Sequence, residues 1–275
     1  MGCYEEYKDL LSKSYYEAIE HLLLKYSAAK DDYFREKSYQ RFMEGKIKNI
    51  TKGNFSRTSD GLYCHHIDEI KMLKISDQRF VKRNKIPFKY QKKDKLVYCD
   101  LIEHTILHAL ITKETTHEFG YPGYALFLKP LIEEWFVEER IPSMEWMKNC
   151  HKKAFLSPQE AVEILKVMEE MLGRNYYSTA LEYHEAKQKQ EDMQRMMATR
   201  LNEEERNKWI EKAKLLHSKS TRKEIVDSIY HLKFKDRTYE PFVSGMKKYT
   251  KDRILEELTI YLKGLSEHKD KPTVD

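Results

Sequence analysis

Gly61-Leu62-Tyr63-Cys64-His65-His66-Ile67-Asp68-Glu69 is answered, about thirty residues on, by Leu96-Val97-Tyr98-Cys99-Asp100-Leu101-Ile102-Glu103-His104-Thr105-Ile106-Leu107-His108. The first stretch reads as a strand that ends in two adjacent histidines. The second reads as a short strand running into a helix that carries two more, at i and i+4. Side chains four apart on a helix point the same way. His104 and His108 can therefore grip one ion, and His65 can close a three-imidazole site, imidazole being a common ligand for divalent metals. Side chains alternate faces along a strand, so His66 is left free of that ion and able to act as a base near neutral pH.

This arrangement resembles the HNH (ββα-metal) nucleases over residues 58 to 112. In that family a metal ligand and a general-base histidine stand side by side at the end of the first strand, and the last histidines lie on the helix. The resemblance implies His66 as general base and His65, His104 and His108 as the shell of one divalent ion. Mg²⁺ or Mn²⁺ is expected for activity, with Zn²⁺ or Ni²⁺ as alternatives. Nine residues before the first helix histidine the family carries an asparagine that braces the base-bearing loop. Lys95 stands there in this chain, where it would add positive charge near a scissile phosphate. A carboxylate from Asp68 or Glu69 would replace or join an imidazole and favour harder ions. Glu103 reads as a partner of the ligands or a surface acid, and His21 and His117 as structural. The motif lacks the His-Glu-x-x-His of metalloproteases. The chain also has no Gly-x-Gly-x-x-Gly, phosphate-binding loop or Gly-x-Ser-x-Gly elbow, which leaves nucleotide cofactors and serine hydrolysis without support.

Between the two halves, residues 70 to 93 hold nine Lys or Arg against the single acid Asp77, with Phe80, Phe88 and Tyr90 interleaved. Lysines release counterions from phosphates, and aromatics stack on unpaired bases or pack the loop down. Lys82, Arg83, Lys85, Lys89, Lys92 and Lys93 are the expected nucleic-acid contacts. The basic stretch from Gly45 to Thr58 is a second candidate arm.

Around this centre the periodicity predicts helices. They are expected over 4–29, 31–44, 100–112, 124–138 with an interruption at Pro130, 142–154, and 158 to Gly173 behind a Ser157 cap. A charged stretch over 176–219 reads as one long helix or two antiparallel ones. Helices over 221–233 and 249–265 follow, separated at Pro241, and the polar tail from Ser266 reads as disordered. The expected class is mainly α with a small embedded ββα-metal motif and helical flanks, an α+β arrangement. Three regions are expected: 1–57 helical, 58–119 the nuclease-like core, and 124–275 helical, for nucleic-acid binding or dimerisation. The break falls at Gly120-Tyr121-Pro122-Gly123.

Composition narrows the class. The chain has 275 residues, 40% hydrophobic and 35% charged, with nineteen Tyr, eleven Phe and only nine Gly and seven Pro. Such aromatic content excludes a disordered chain, and the scarcity of turn residues favours long helices. A net charge of +5 supports nucleic-acid contact only where it is concentrated. Four cysteines without a Cys-x-x-Cys predict a reducing, cytoplasmic setting. Cys64 and Cys99 read as small core residues, or alternatively as a second metal site. The acidic start lacks a signal sequence, and Glu6 breaks the myristoylation pattern behind Gly2. No apolar run is long enough to span a bilayer, so no membrane partner is expected. DNA is the expected partner, with RNA as the alternative. A homodimer would supply the two active sites that a double-strand cut requires. The rival to a nuclease is a non-catalytic nucleic-acid-binding protein with a structural metal.

Overall fold

The computed structural model describes residues 3–269, with side chains from 4 to 265. The chain is mainly helical with one antiparallel pair of strands, and it divides into two units, Met1–Glu185 and Ala186–Asp275. The glycines that mark a break at 120–123 lie inside the first unit. Among the described residues no helix is long and apolar enough to cross a membrane.

The expected first helix is two helices, α1 (Cys3–Leu11) and α2 (Tyr15–Tyr26). The apolar period runs through both, but Ser14 breaks it. Its hydroxyl accepts from the Glu17 N–H while Glu17 accepts from the Ser14 N–H, a reciprocal cap that starts a new helix. Next, α3 (Glu36–Met43) starts later than Asp31 or Asp32 would suggest. Those acids serve loops instead: Asp31 accepts from Asn54 N–H and Asp32 from Lys93 N–H.

Strands β1 (Tyr63–His66) and β2 (Leu96–Cys99) pair antiparallel, with His65 opposite Val97 and His66 opposite Leu96. The basic segment between them folds as α4 (Gln78–Asn84) behind the Asp77 cap, followed by short 3₁₀ turns. Phe34, Tyr39, Phe42, Ile50, Val81 and Ile86 form a small core beneath it, and Phe80, Phe88 and Tyr90 pack on that core. The interleaved aromatics thus hold the loop down.

From β2 the chain turns directly into α5 (Leu101–Glu114), capped by Asp100 and Glu103. This helix is apolar on nearly every side and forms the middle of the main core, against α1, α2 and both strands. Residues 121 to 137 are helical turns: α6 (Tyr121–Gly123), α7 (Lys129–Ile132), and a wider π-type turn after each. Pro130 does not interrupt the run. It lies early in α7, and the wide turns absorb its missing N–H. Two more helices complete the layer, α8 (Glu145–Lys153) and α9 (Pro158–Met171), the latter with the expected Ser157–Glu160 cap.

The long charged stretch is one helix, α10 (Ala180–Lys214). In the second unit Ala213 near its end, α11 (Arg222–Lys233) and α13 (Lys251–Lys269) share a core with Ile225, Ile229, Ile254 and Leu258. Pro241 sits in the first turn of a further helix, α12 (Tyr239–Met246), where no N–H is needed. α13 continues through 266–269, while residues 270–275 of the tail and the start at Gly2 lie outside the described residues.

Candidate metal centre

β1 delivers His65 and His66 to opposite sides, and α5 delivers His104 and His108 to the His65 side. The rings of His65, His104 and His108 form a triangle with centroids 5.0 to 5.2 Å apart. One ligand atom from each lies within 4.8 Å of the others, a spacing that can hold a metal ion.

Hydrogen bonds fix which nitrogens of His65 and His108 face inward. Tyr15 donates its hydroxyl to Ile67 O at 2.9 Å, so its oxygen accepts from His65 Nε2, also at 2.9 Å. That places the His65 lone pair on Nδ1, which is buried with no hydrogen-bond partner. His108 Nδ1 donates to the carbonyl of Gly120 at 3.2 Å, which leaves Nε2 pointing into the triangle. His104 Nδ1 is likewise buried and unpartnered. Buried polar atoms are rarely left so, and these orphans fit an ion. The outer hydrogen bonds orient the ligand rings, as partners of metal-bound histidines do.

Glu69 completes the convergence. Its Oε2 lies 3.2 Å from His108 Nε2 and 3.6 Å from His65 Nδ1. Two imidazole lone pairs and a carboxylate repel one another unless a proton or a cation sits among them. Burial alone would raise the Glu69 carboxyl; the bond to His108 and the neighbouring imidazoles outweigh it and hold Glu69 below the usual carboxylate range. Asp68 faces away, towards Lys71 Nζ at 2.6 Å and Lys95 Nζ at 3.8 Å.

His66 stands apart from the triangle, as strand alternation requires. Its Nε2 lies 3.2 Å from Gln91 Oε1, and the Gln91 amide donates in turn to Ile75 O at 2.9 Å. The amide oxygen can only accept, so His66 carries its proton on Nε2 and its lone pair on Nδ1. Tyr33 packs against the ring at 4.5 Å. His66, Glu69, His104 and His108 all line one cavity of about 380 Å³, together with Lys74 and Phe127.

Lys95, expected near a scissile phosphate, is tied to Asp68 and does not line this cavity. The cation that does is Lys74, whose backbone is held at φ 55°. That left-handed conformation is uncommon outside glycine. Gln91 ties His66 to the loop carrying Lys74. No spacing rule joins His66 to a glutamine twenty-five residues away; the hydrophobic anchors beneath the basic insert bring it there. Lys82, Arg83, Lys85, Lys89, Lys92 and Lys93 are all exposed, with Lys82 over the Phe42 ring and Lys89 over Tyr90. Glu103 is structural: it is buried, caps α5 and pairs with Lys25 at 2.9 Å. Cys99 is fully buried in the main core and Cys64 is half-buried against it.

The close packing behind His108 gives a direct test. A Cβ on Gly123 would sit 2.5 Å from His108 Cε1 and Nδ1. Gly123→Ala is therefore expected to tilt the ring and weaken metal binding by roughly 10- to 100-fold, the range of outer-shell changes, as read by calorimetric titration.

Burial also sets a pH dependence. It pushes His65 down to about 3 and lowers His104 and His66. The unfolded chain takes up these protons near pH 6.5, the folded chain only below it. Between those limits the unfolded state binds more protons, so stability falls as pH drops. Asp100, pushed up to about 8 by burial and by Glu103, acts in the opposite sense but is one group against three. Melting of metal-free protein is expected at a lower temperature at pH 5 than at pH 7.

Comparisons with family models, with curated proteins and with solved structures give no match to this chain.

Proposed function

We propose that this chain is a metal-dependent HNH-type endonuclease that hydrolyses phosphodiester bonds in DNA. The observation that carries the reading is a triangle of His65, His104 and His108 with ligand atoms within 4.8 Å of one another, two of whose rings share a cavity with His66, the neighbouring strand residue, which is braced by Gln91. The order strand, strand, helix supports it.

A bound divalent ion supplies Lewis acidity and a template for the phosphate. His65, His104 and His108 hold it in orientations set by Tyr15 and Gly120. His66 Nδ1 takes a proton from the attacking water, while its Nε2–H stays on Gln91; an imidazole kept neutral in this way is suited to that task. Lys74 offsets the negative charge of the phosphate, and the exposed lysines and arginines of 82–93 hold the flanking backbone. A plasmid-nicking assay with Mg²⁺, Mn²⁺ and Ni²⁺ tests the reading. Parallel digests of RNA separate the alternative substrate.

Glu69 favours a second reading. As a fourth protein ligand it would close the shell, the mark of a structural site. That reading predicts stoichiometric zinc, melting on chelation, and no cutting with any ion.

A further inference from the structure

We propose that the second unit carries a nucleotide-binding pocket, which takes a planar base together with its phosphate. A cavity of about 370 Å³ opens among α11, α12 and α13, within the size range of small-ligand sites. Its walls combine the rings of Phe234, Phe242 and Tyr249 with the cations Arg237, Lys248 and Arg253. Each cation is held against one of those rings. Arg237 lies 4.9 Å from the centre of Phe234, and Lys248 and Arg253 lie 5.2 and 5.5 Å from that of Tyr249. Cations stacked over aromatic rings thus line one cavity, a combination of groups that can engage an unpaired base, by stacking on a ring or a guanidinium plane, and the phosphate next to it.

The pocket carries more positive than negative charge, three cations against Glu257, which Arg253 also helps to hold ionised. The Glu257 carboxylate is taken by Lys233 at 2.6 Å. Among the described residues no ion pair engages Arg237, Lys248 or Arg253. The rim is fixed in place: Arg222 donates to Met246 O at 2.7 Å and Tyr249 O at 2.6 Å, which anchors the turn bearing Lys248 and Tyr249. Gly245 lines the same cavity. Its φ is not left-handed and a Cβ there would meet nothing within 4 Å, so neither conformation nor crowding requires glycine. A glycine in a helix costs roughly 0.5–1 kcal/mol relative to alanine. What it leaves at this position is room.

The pocket does not depend on the metal centre, and the two readings fail separately. The test uses the full chain carrying His66→Ala, in the presence of EDTA, so that cutting does not interfere. Binding of fluorescein-labelled oligothymidylate and of thymidine monophosphate is measured, with inorganic phosphate as competitor. Gly245→Leu projects a side chain into the cavity from a position where its Cβ meets nothing within 4 Å. It is expected to weaken binding of the base-bearing ligand about tenfold or more, as loss of a stacked base does, with no fall in melting temperature. Arg253→Ala is expected to weaken strand binding and to flatten its dependence on the logarithm of salt concentration by about 0.7. Tighter binding of the strand than of the monophosphate assigns the pocket to a nucleic-acid strand, and equal binding assigns it to a free nucleotide. Unchanged binding of both ligands by Gly245→Leu overturns the proposal, as does competition by phosphate equal to that by thymidine monophosphate.

Discussion

His108→Ala is expected to abolish both metal binding and DNA cutting. The substitution removes one of three imidazoles whose ligand atoms lie within 4.8 Å of one another. It also strips Gly120 O of its donor and Glu69 of its nearest partner. Changes outside the ligand shell cost roughly 10- to 100-fold in affinity; loss of a ligand costs more, and cutting falls to background. The readout that separates loss of metal from loss of fold is melting with and without ion. A ligand at a thousandfold excess over its dissociation constant stabilises by about 4 kcal/mol. Wild-type protein is expected to show such a rise on adding Zn²⁺ or Ni²⁺, and His108→Ala to melt at one temperature with or without it. His104→Ala should behave alike, because its Nδ1 is equally buried and unpartnered.

His66→Ala is expected to lower the rate of cutting by about 10²- to 10⁴-fold, the usual contribution of a general base, while one ion remains bound. The two halves of this expectation belong together. His66 lines the cavity but is held by Gln91 and Tyr33, apart from the three ligand rings. Its removal leaves Gln91 Oε1 buried without a donor, a cost of about 1–3 kcal/mol in stability, so metal content and melting must accompany the rate. Gln91→Ala is the graded companion. It keeps the base but frees its ring, and a loss of about tenfold in rate with little change in substrate affinity is expected, as for a positioning residue.

The centre was legible in the sequence because its parts are local. A pair on a strand end and a pair at i, i+4 on a helix fix their own directions, and two short strands joined by an insert bring them together. Helix starts at Ser157 and Thr221 were legible for the same reason, since the cap and the acid lie three residues apart. The break between α1 and α2 carried an identical signal at Ser14 and Glu17, but the apolar period runs unbroken across it and reads as one helix. Pro130 and Pro241 each read as a break, and each lies within a helix. One stands in a first turn and the other among wide turns, and in both places a proline is compatible with helix.

What stayed hidden is tertiary. Gln91 reaches His66 only because Phe34, Tyr39, Val81 and Ile86 pack the basic insert down. Lys74 takes the cavity position because the turn before α4 adopts a left-handed residue there, and Lys95 is lost to Asp68. Nor does composition distinguish Glu69 from Asp68; only the 3₁₀ turn over Ile67–Ile70 decides which carboxylate faces the three histidines.

The most direct test is nicking of supercoiled plasmid by metal-loaded protein, run beside His66→Ala with the bound metal measured in both. One ion per chain is expected in each, with open-circular product from the wild type with Mg²⁺, Mn²⁺ or Ni²⁺, and at least a hundredfold less from the variant. Equal nicking by the two proteins, or no nicking by a wild type that holds its ion, would contradict the proposed function.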